Sequence, residues 1–248
     1  MNVDFLIAGT QKGGTSALNR YLREHQDLLM ASTKEVHFFD TESHFEHKPD
    51  YSTYHAYFDT NYPGYSKNVR VGEATPIYMY WYDAAKRIWE YNPQMQLIII
   101  LRNPIERAFS HWNMERDAGH ENLSFSEAIT IEEHRCKTAL PLQHRIFSYV
   151  DRGFYCEQLR RIWHYFPRKQ TLVIKNEDLR NDVNGTLKKI AGFLNLSEFP
   201  LMAHSEIHSR KYVSSMNDNE RSILREIYFN EIKELEHILD WDCSNWLE

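Results

Sequence analysis

The stretch that most constrains the fold is the first one: Val3-Asp4-Phe5-Leu6-Ile7-Ala8-Gly9-Thr10-Gln11-Lys12-Gly13-Gly14-Thr15-Ser16-Ala17-Leu18. A short apolar run enters a glycine-rich turn that carries a lysine and adjacent hydroxyls, and an amphipathic segment follows. This order predicts a strand, an anion-cradling loop and a helix N-terminus. Glycines allow successive backbone N–H groups to converge on an anion, and the helix dipole adds positive potential there. The lysine is displaced from its position in an ATPase loop. In G-x-x-x-x-G-K-[ST] it directly precedes the hydroxyl residue, whereas Lys12 lies three residues after Gly9 and is followed by Gly13-Gly14-Thr15-Ser16. Alone, the loop also fits an ordinary glycine-rich strand–helix turn.

A second motif narrows the reading. Leu97-Ile98-Ile99-Ile100-Leu101 is a β-branched apolar run that reads as a buried strand. Arg102 follows at its C-terminal end, where open α/β sheets bind ligands. Pro104 is suited to open a helix, and Ser110 would lie about two turns along it. An arginine fork with a hydroxyl suits a phosphate dianion; an arginine salt-bridged at a strand end is the plainer alternative. Taken together, G-x-x-K-G-G-T-S and R-N-P-x-x-R-A-x-S resemble the 5′-phosphosulfate loop and the 3′-phosphate motif of sulfotransferases that use 3′-phosphoadenosine 5′-phosphosulfate (PAPS). The pattern is most similar to the heparan sulfate sulfotransferase-like branch. The resemblance implies a P-loop-like α/β fold and PAPS as co-substrate, with 3′,5′-bisphosphoadenosine as product and no metal. It implies nucleotide contacts from Lys12, Gly13, Gly14, Thr15, Ser16, Arg102 and Ser110. Ser209-Arg210-Lys211-Tyr212 is similar to the basic loop over the 3′-phosphate in that branch, so Arg210, Lys211 and Tyr212 join the set. His208-Ser209 stands where a Lys-Gly pair is usual, and a solvated Arg-Lys pair is the alternative reading.

Between the nucleotide motifs lies Lys34-Glu35-Val36-His37-Phe38-Phe39-Asp40. This K-E-x-H-F-F-D string is close to one in heparan sulfate sulfotransferases whose glutamate is the catalytic base. In an extended chain Glu35 and His37 project to the same side. Sulfuryl transfer needs a group to take the acceptor's proton and a cation at the bridging oxygen of the leaving nucleotide. The resemblance gives Glu35 the first role and Lys12 the second, with His37 orienting the acceptor or Glu35 and serving as the alternative base. Arg152-Gly153-Phe154-Tyr155-Cys156-Glu157-Gln158-Leu159 with Trp163 is similar to another family segment and reads as scaffold, Leu159 and Trp163 being core positions on one helix face. The chain also departs from the branch. Gly72-Glu73-Ala74-Thr75-Pro76-Ile77-Tyr78 carries Ala74 where a lysine is frequent. That removes a second positive charge and weakens the case for a polyanionic glycan acceptor. Glu73 either touches the acceptor or stabilises its loop.

The remaining sequence sets bounds. The 248 residues suit a single domain over 1–248, a mainly parallel sheet with helices on both faces. Strands are expected at Val69–Glu73, Gln96–Leu101 and Thr171–Lys175, and helices over Thr15–Glu24, Asp83–Tyr91 and most of 104–165. A net charge of −6 argues against general binding to nucleic acid or to anionic membranes. Three widely spaced cysteines suggest neither a disulfide framework nor a metal site, and the thirteen histidines show no tight ligand spacing. No apolar run approaches the roughly 18 residues of a membrane span. The expectation is a soluble, cytoplasmic, bacterial-type enzyme, a trimmed Golgi luminal domain being the alternative, that acts on a carbohydrate or small-molecule acceptor. Oligomeric state is left open. Two other function classes remain at this point: a P-loop kinase-like phosphotransferase and a non-catalytic nucleotide-binding module.

Overall fold

Apolar runs at five places in the chain pair into one all-parallel sheet. The computed structural model describes residues 1–61, 69–202 and 212–248. In chain order β1 (Phe5–Gly9), α1 (Thr15–Leu22), β2 (Leu28–Met30), α2 (Tyr51–His55), β3 (Arg70–Ala74), α3 (Ala84–Tyr91) and β4 (Gln96–Leu101) come first. Helices α4 (Pro104–Asp117), α5 (Phe125–Lys137) and α6 (Tyr155–Tyr165) follow. Then come β5 (Thr171–Lys175), α7 (Asn176–Asn181), α8 (Val183–Leu194) and α9 (Asp218–Leu239). The chain divides into two compact units, Met1–Leu101 with Ile162–Ile207, and Arg102–Arg161 with His208–Glu248.

The first unit holds the whole sheet, in the order β2-β3-β1-β4-β5. Every neighbouring pair is parallel. β1 is buried along its length and β4 nearly so, as parallel strands covered on both faces should be. Phe5, Ile7, Ile98, Ile100 and Ile174 point into an apolar cluster with Leu18 and Leu22 of α1 and Leu187, Ile190 and Leu194 of α8. Removing that apolar surface from water holds these helices to the sheet.

The expected α/β fold is present, with differences at the margins. β2 was not anticipated, because three residues at a sheet edge carry too little pattern to stand out. β3 begins and ends one residue later than expected, since its pairing with β1 runs through Ile7↔Ala74. α1 ends at Leu22, two residues early. The region 104–165 is mostly helical as expected, interrupted around Gly119 and between α5 and α6, a stretch that holds Pro141 and Gly153. Leu159 is buried, but Trp163 is only half-buried; its indole N–H donates to Thr171 Oγ1 (2.9 Å) and its ring carries the Arg168 guanidinium at 4.0 Å. Among the described residues no helix is long and apolar enough to cross a membrane.

The second unit is built of helices. Asn103 caps α4, its side chain accepting from Ile105 N–H (2.9 Å), with Pro104 in the first turn. Capping boxes start α5 at Ser124 and α9 at Asn217.

Candidate active site

The loop after β1 is tied down by backbone bonds. Thr10 N–H donates to Ile100 O of β4 (2.9 Å), and Gly13 N–H turns back to Thr10 O (2.9 Å). Asn176, which opens α7, donates from Nδ2 to Gly13 O (2.8 Å). A Cβ on Gly13 would lie 2.5 Å from Ile100 O, so only glycine fits beneath the loop. Gly14 caps α1 at φ 105°, a left-handed conformation that again selects glycine. No acidic residue occupies the first turn of α1, which leaves its positive dipole end uncompensated from within the helix. Thr15 is buried and Ser16 exposed at that end. Half-buried Lys12 rides the loop at φ 69°.

The Lys34–Asp40 segment is not extended, contrary to expectation. Glu35 and His37 both take left-handed backbone, φ 63° and 57°. The side chains still meet, by a different route. Glu35 N–H donates to Ala74 O at the C-terminal end of β3 (2.9 Å), and His37 Nε2 lies 3.6 Å from Glu35 Oε2. Lys34 Nζ pairs with Glu35 Oε1. On its other side, His37 Nδ1 lies 2.9 Å from Oδ2 of fully buried Asp40.

These contacts set the protonation states. Burial pushes the Glu35 carboxyl up, but the His37 hydrogen bond and the Lys34 charge and hydrogen bond outweigh it and hold it at about 2. Hydrogen bonds to Asp40 and then Glu35 raise His37 to about 9 against burial. At neutral pH Glu35 is therefore an anion and His37 a cation. β1 and β3 are adjacent parallel strands, so the Lys12 loop and the Glu35 attachment lie at the same C-terminal end of the sheet, where open α/β sheets bind ligands.

Among the described residues, the non-glycine residues at positive φ are Lys12, Glu35, His37, Asn195 and Asp240. The last two terminate α8 and α9, a common use of that conformation. The other three are the residues singled out for chemistry, and strained backbone of this kind concentrates at functional sites.

Glu73 resolves one of the open alternatives. Its side chain is fully buried and accepts from Tyr78 OH (2.9 Å), Tyr54 OH (3.2 Å) and Thr75 Oγ1 (2.6 Å). It stabilises the loop and does not face an acceptor. Burial raises it to about 7 despite hydrogen bonds from Thr75, Tyr78 and Tyr54 that pull the other way. Its neighbour Ala74 is part of the apolar cluster under the sheet.

Arg102 and Ser110 belong to the second unit. Tyr155 OH fixes Arg102 O (2.8 Å), and the guanidinium lies 3.8 Å from Glu106, which Arg221 also holds (2.6 Å). Ser110 is buried on α4, one residue after Phe109, whose ring meets Tyr212 edge-on at 5.4 Å. The chain next to Tyr212 is fixed by Val213 N–H donating to Asn113 Oδ1 (2.7 Å). Arg210 and Lys211 lie outside the described residues. Two site residues went unread in the sequence, Asp40 and Asn176. A carboxylate three positions after His37 and directly after two phenylalanines is a readable sign of a buried acid with a partner, whereas nothing local marks Asn176.

A phosphate-type loop without the ATPase lysine position and a carboxylate–imidazole pair thus lie at the C-terminal ends of neighbouring strands β1 and β3. The chain belongs to the sulfotransferase domain family, whose model matches residues 2–238. Over 209 residues it is 29% identical to mouse heparan sulfate glucosamine 3-O-sulfotransferase 3B1, covering 83% of this chain and 49% of that protein. Against human heparan sulfate glucosamine 3-O-sulfotransferase 6 the identity is also 29%, covering 83% and 56%. The chain thus spans about half the length of the curated relatives it matches. A sulfotransferase from Alicyclobacillus acidocaldarius superposes with a TM-score of 0.85 at 27% identity, over the whole of both chains. Mouse sulfotransferase SULT7A1, solved with PAP, shares the fold at a TM-score of 0.51 and 18% identity, over 93% of this chain and 66% of that one.

Proposed function

We propose that the chain transfers a sulfuryl group from PAPS to a hydroxyl, or an amine, of a carbohydrate or small-molecule acceptor, with both units acting as one sulfotransferase domain. The observation that carries this reading is the ionised Glu35 carboxylate, held between Lys34 and His37 at the C-terminal end of the sheet that also presents the Lys12 loop. The acceptor oxygen attacks sulfur in line, and the bond from sulfur to the bridging phosphate oxygen breaks. Glu35 takes the acceptor proton. That proton becomes far more acidic as its oxygen bonds to sulfur, so a weakly basic carboxylate accepts it during the step. Lys12 stabilises the charge gathering on the departing bridging oxygen. His37, a cation, orients Glu35 and is not itself the base.

In this reading the loop at Gly13 and Gly14 and the N–H groups of Thr15 and Ser16 receive the 5′-phosphosulfate, with Gly13 N–H holding the loop through Thr10 O. Arg102 and Ser110, with Arg210, Lys211 and Tyr212, receive the 3′-phosphate. Relatives named for sulfating glucosamine support a sugar acceptor. Ala74, a buried methyl where that branch often has a lysine, favours one less densely anionic than heparan sulfate. A phosphotransferase reading has the lysine position and the family membership against it.

Calorimetry tests the nucleotide assignment. 3′,5′-Bisphosphoadenosine should bind far more tightly than AMP or ATP, and Arg102→Ala should weaken it by about 2–5 kcal/mol through loss of a desolvated charge pair. Equal affinity for ATP would overturn the reading.

A further inference from the structure

We propose that Glu73 is a positioning residue for the Glu35–Asp40 segment: by accepting the hydroxyl protons of Tyr78 and Thr75, it turns their lone pairs toward the backbone N–H groups of Phe38 and His37. Calling the segment catalytic rests on the function proposed above; the geometry stands on its own. A hydroxyl has one proton to donate and two lone pairs to accept with. Tyr78 gives its proton to Glu73 Oε1 (2.9 Å) and accepts from Phe38 N–H (3.0 Å). Thr75 gives its proton to Glu73 Oε2 (2.6 Å) and accepts a longer bond from His37 N–H (3.5 Å). Tyr54 OH is the third donor (3.2 Å), and its ring stacks on Phe38 at 4.9 Å.

Every donor to Glu73 therefore touches the segment that carries Glu35 and His37, either through a lone pair or through a ring. Glu73, Thr75, Tyr54 and Tyr78 are at most 1% exposed, so bulk water cannot replace any of these bonds. Glu73 itself is fixed in β3, paired with Leu6 of β1. A rigid strand thus sets the hydroxyl directions, and the hydroxyls set the path of the left-handed segment. An amide at position 73 would break this logic. Glutamine presents one acceptor and one donor, so either Tyr78 or Thr75 would have to reverse its hydroxyl and point a proton at a backbone N–H.

The test uses the full chain with Glu73→Gln and Tyr78→Phe, the second of which changes no charge and keeps the ring. Amide hydrogen exchange at Phe38 should accelerate at least tenfold in both. The His37 ring, followed by NMR, should titrate below its midpoint of about 9 as its contacts to Glu35 and Asp40 loosen, while the thermal melt of Tyr78→Phe remains cooperative. Neither readout needs donor or acceptor, so they judge the positioning claim even if Glu35 is not the base. Wild-type exchange at Phe38 and an unmoved His37 midpoint in Tyr78→Phe would overturn it. In turnover of PAPS with a glucosamine oligosaccharide, both variants should lose roughly ten- to a hundredfold in kcat at unchanged KM for PAPS. A loss confined to KM for PAPS would count against the proposal.

Discussion

The pH dependence of turnover separates the two candidate bases, because the structure places their ionisations far apart. Glu35 titrates at about 2 and His37 at about 9. At pH 7 Glu35 is wholly ionised, whereas only about 1 in 100 molecules carries a neutral His37. A base must be unprotonated. If Glu35 takes the proton, kcat should be flat from about pH 7 to 8, and below about 7 it should fall as Glu73 takes up a proton and can no longer accept from both Tyr78 and Thr75. Above about pH 9 the rate should decline, as His37 loses the charge that holds Glu35 in place. If His37 were the base, kcat would instead climb about tenfold per pH unit until it levelled near 9. The assay is initial rates with labelled PAPS and a saturating sugar acceptor, from pH 5 to 10, for the native chain, Glu35→Gln and His37→Asn. Glu35→Gln should lower the plateau roughly 10²-fold or more and leave no rise between about pH 7 and 9, and His37→Asn should cost less. A unit-slope rise through neutral pH that disappears in His37→Asn would refute the reasoning and transfer the base role to His37.

The other expectations concern the loop and the buried acid. Lys12→Ala should reduce kcat by about two to three orders of magnitude at saturating nucleotide; turnover near the native value would confine Lys12 to binding. Gly13→Ala drives a Cβ against Ile100 O, a backbone atom that cannot yield cheaply, and should destabilise the fold by about 1–3 kcal/mol in chemical denaturation. Asp40→Asn removes the anion 2.9 Å from His37 Nδ1, and a cation that loses its counter-charge gives up its proton more readily, so the His37 midpoint should fall; an unchanged NMR titration would contradict the pairing. Asn176→Ala leaves Gly13 O without its side-chain donor and should weaken 3′,5′-bisphosphoadenosine binding, measured by calorimetry, by about 1 kcal/mol.

Where the sequence was legible, the signal was local. An apolar run closed by a glycine loop, and another closed by Arg-Asn-Pro, mark β1, β4 and the helices after them without reference to distant chain. Glu35 and His37 were also visible as a pair, but the expected reason was wrong. They meet through two left-handed residues flanking Val36 and an N–H bond to Ala74, about forty residues away in sequence, which no periodicity encodes. Glu73 was ambiguous for the same reason. Its three donors come from α2 and from the chain after β3, and only their convergence shows that it faces inward. β2 owes its existence to its neighbour β3 rather than to its own three residues. Asn176 shows the limit most plainly, since its role is a single bond to a carbonyl 163 positions earlier.

The left-handed backbone at Lys12, Glu35 and His37 has a bearing on how the chain can drift. Holding a residue with a Cβ in that conformation costs roughly 1–2 kcal/mol, while glycine, free of that penalty, loses about 0.5–1 kcal/mol more than other residues on ordering. At each of the three positions the backbone is thus indifferent to glycine or slightly prefers it. A screen for heat resistance alone would find at most a slight backbone gain at all three positions, but at Glu35 and His37 it would forfeit the ion pairs with Lys34 and Asp40. Stability and turnover therefore pull the same way at Glu35 and His37, and only at Lys12 does the backbone set them against each other.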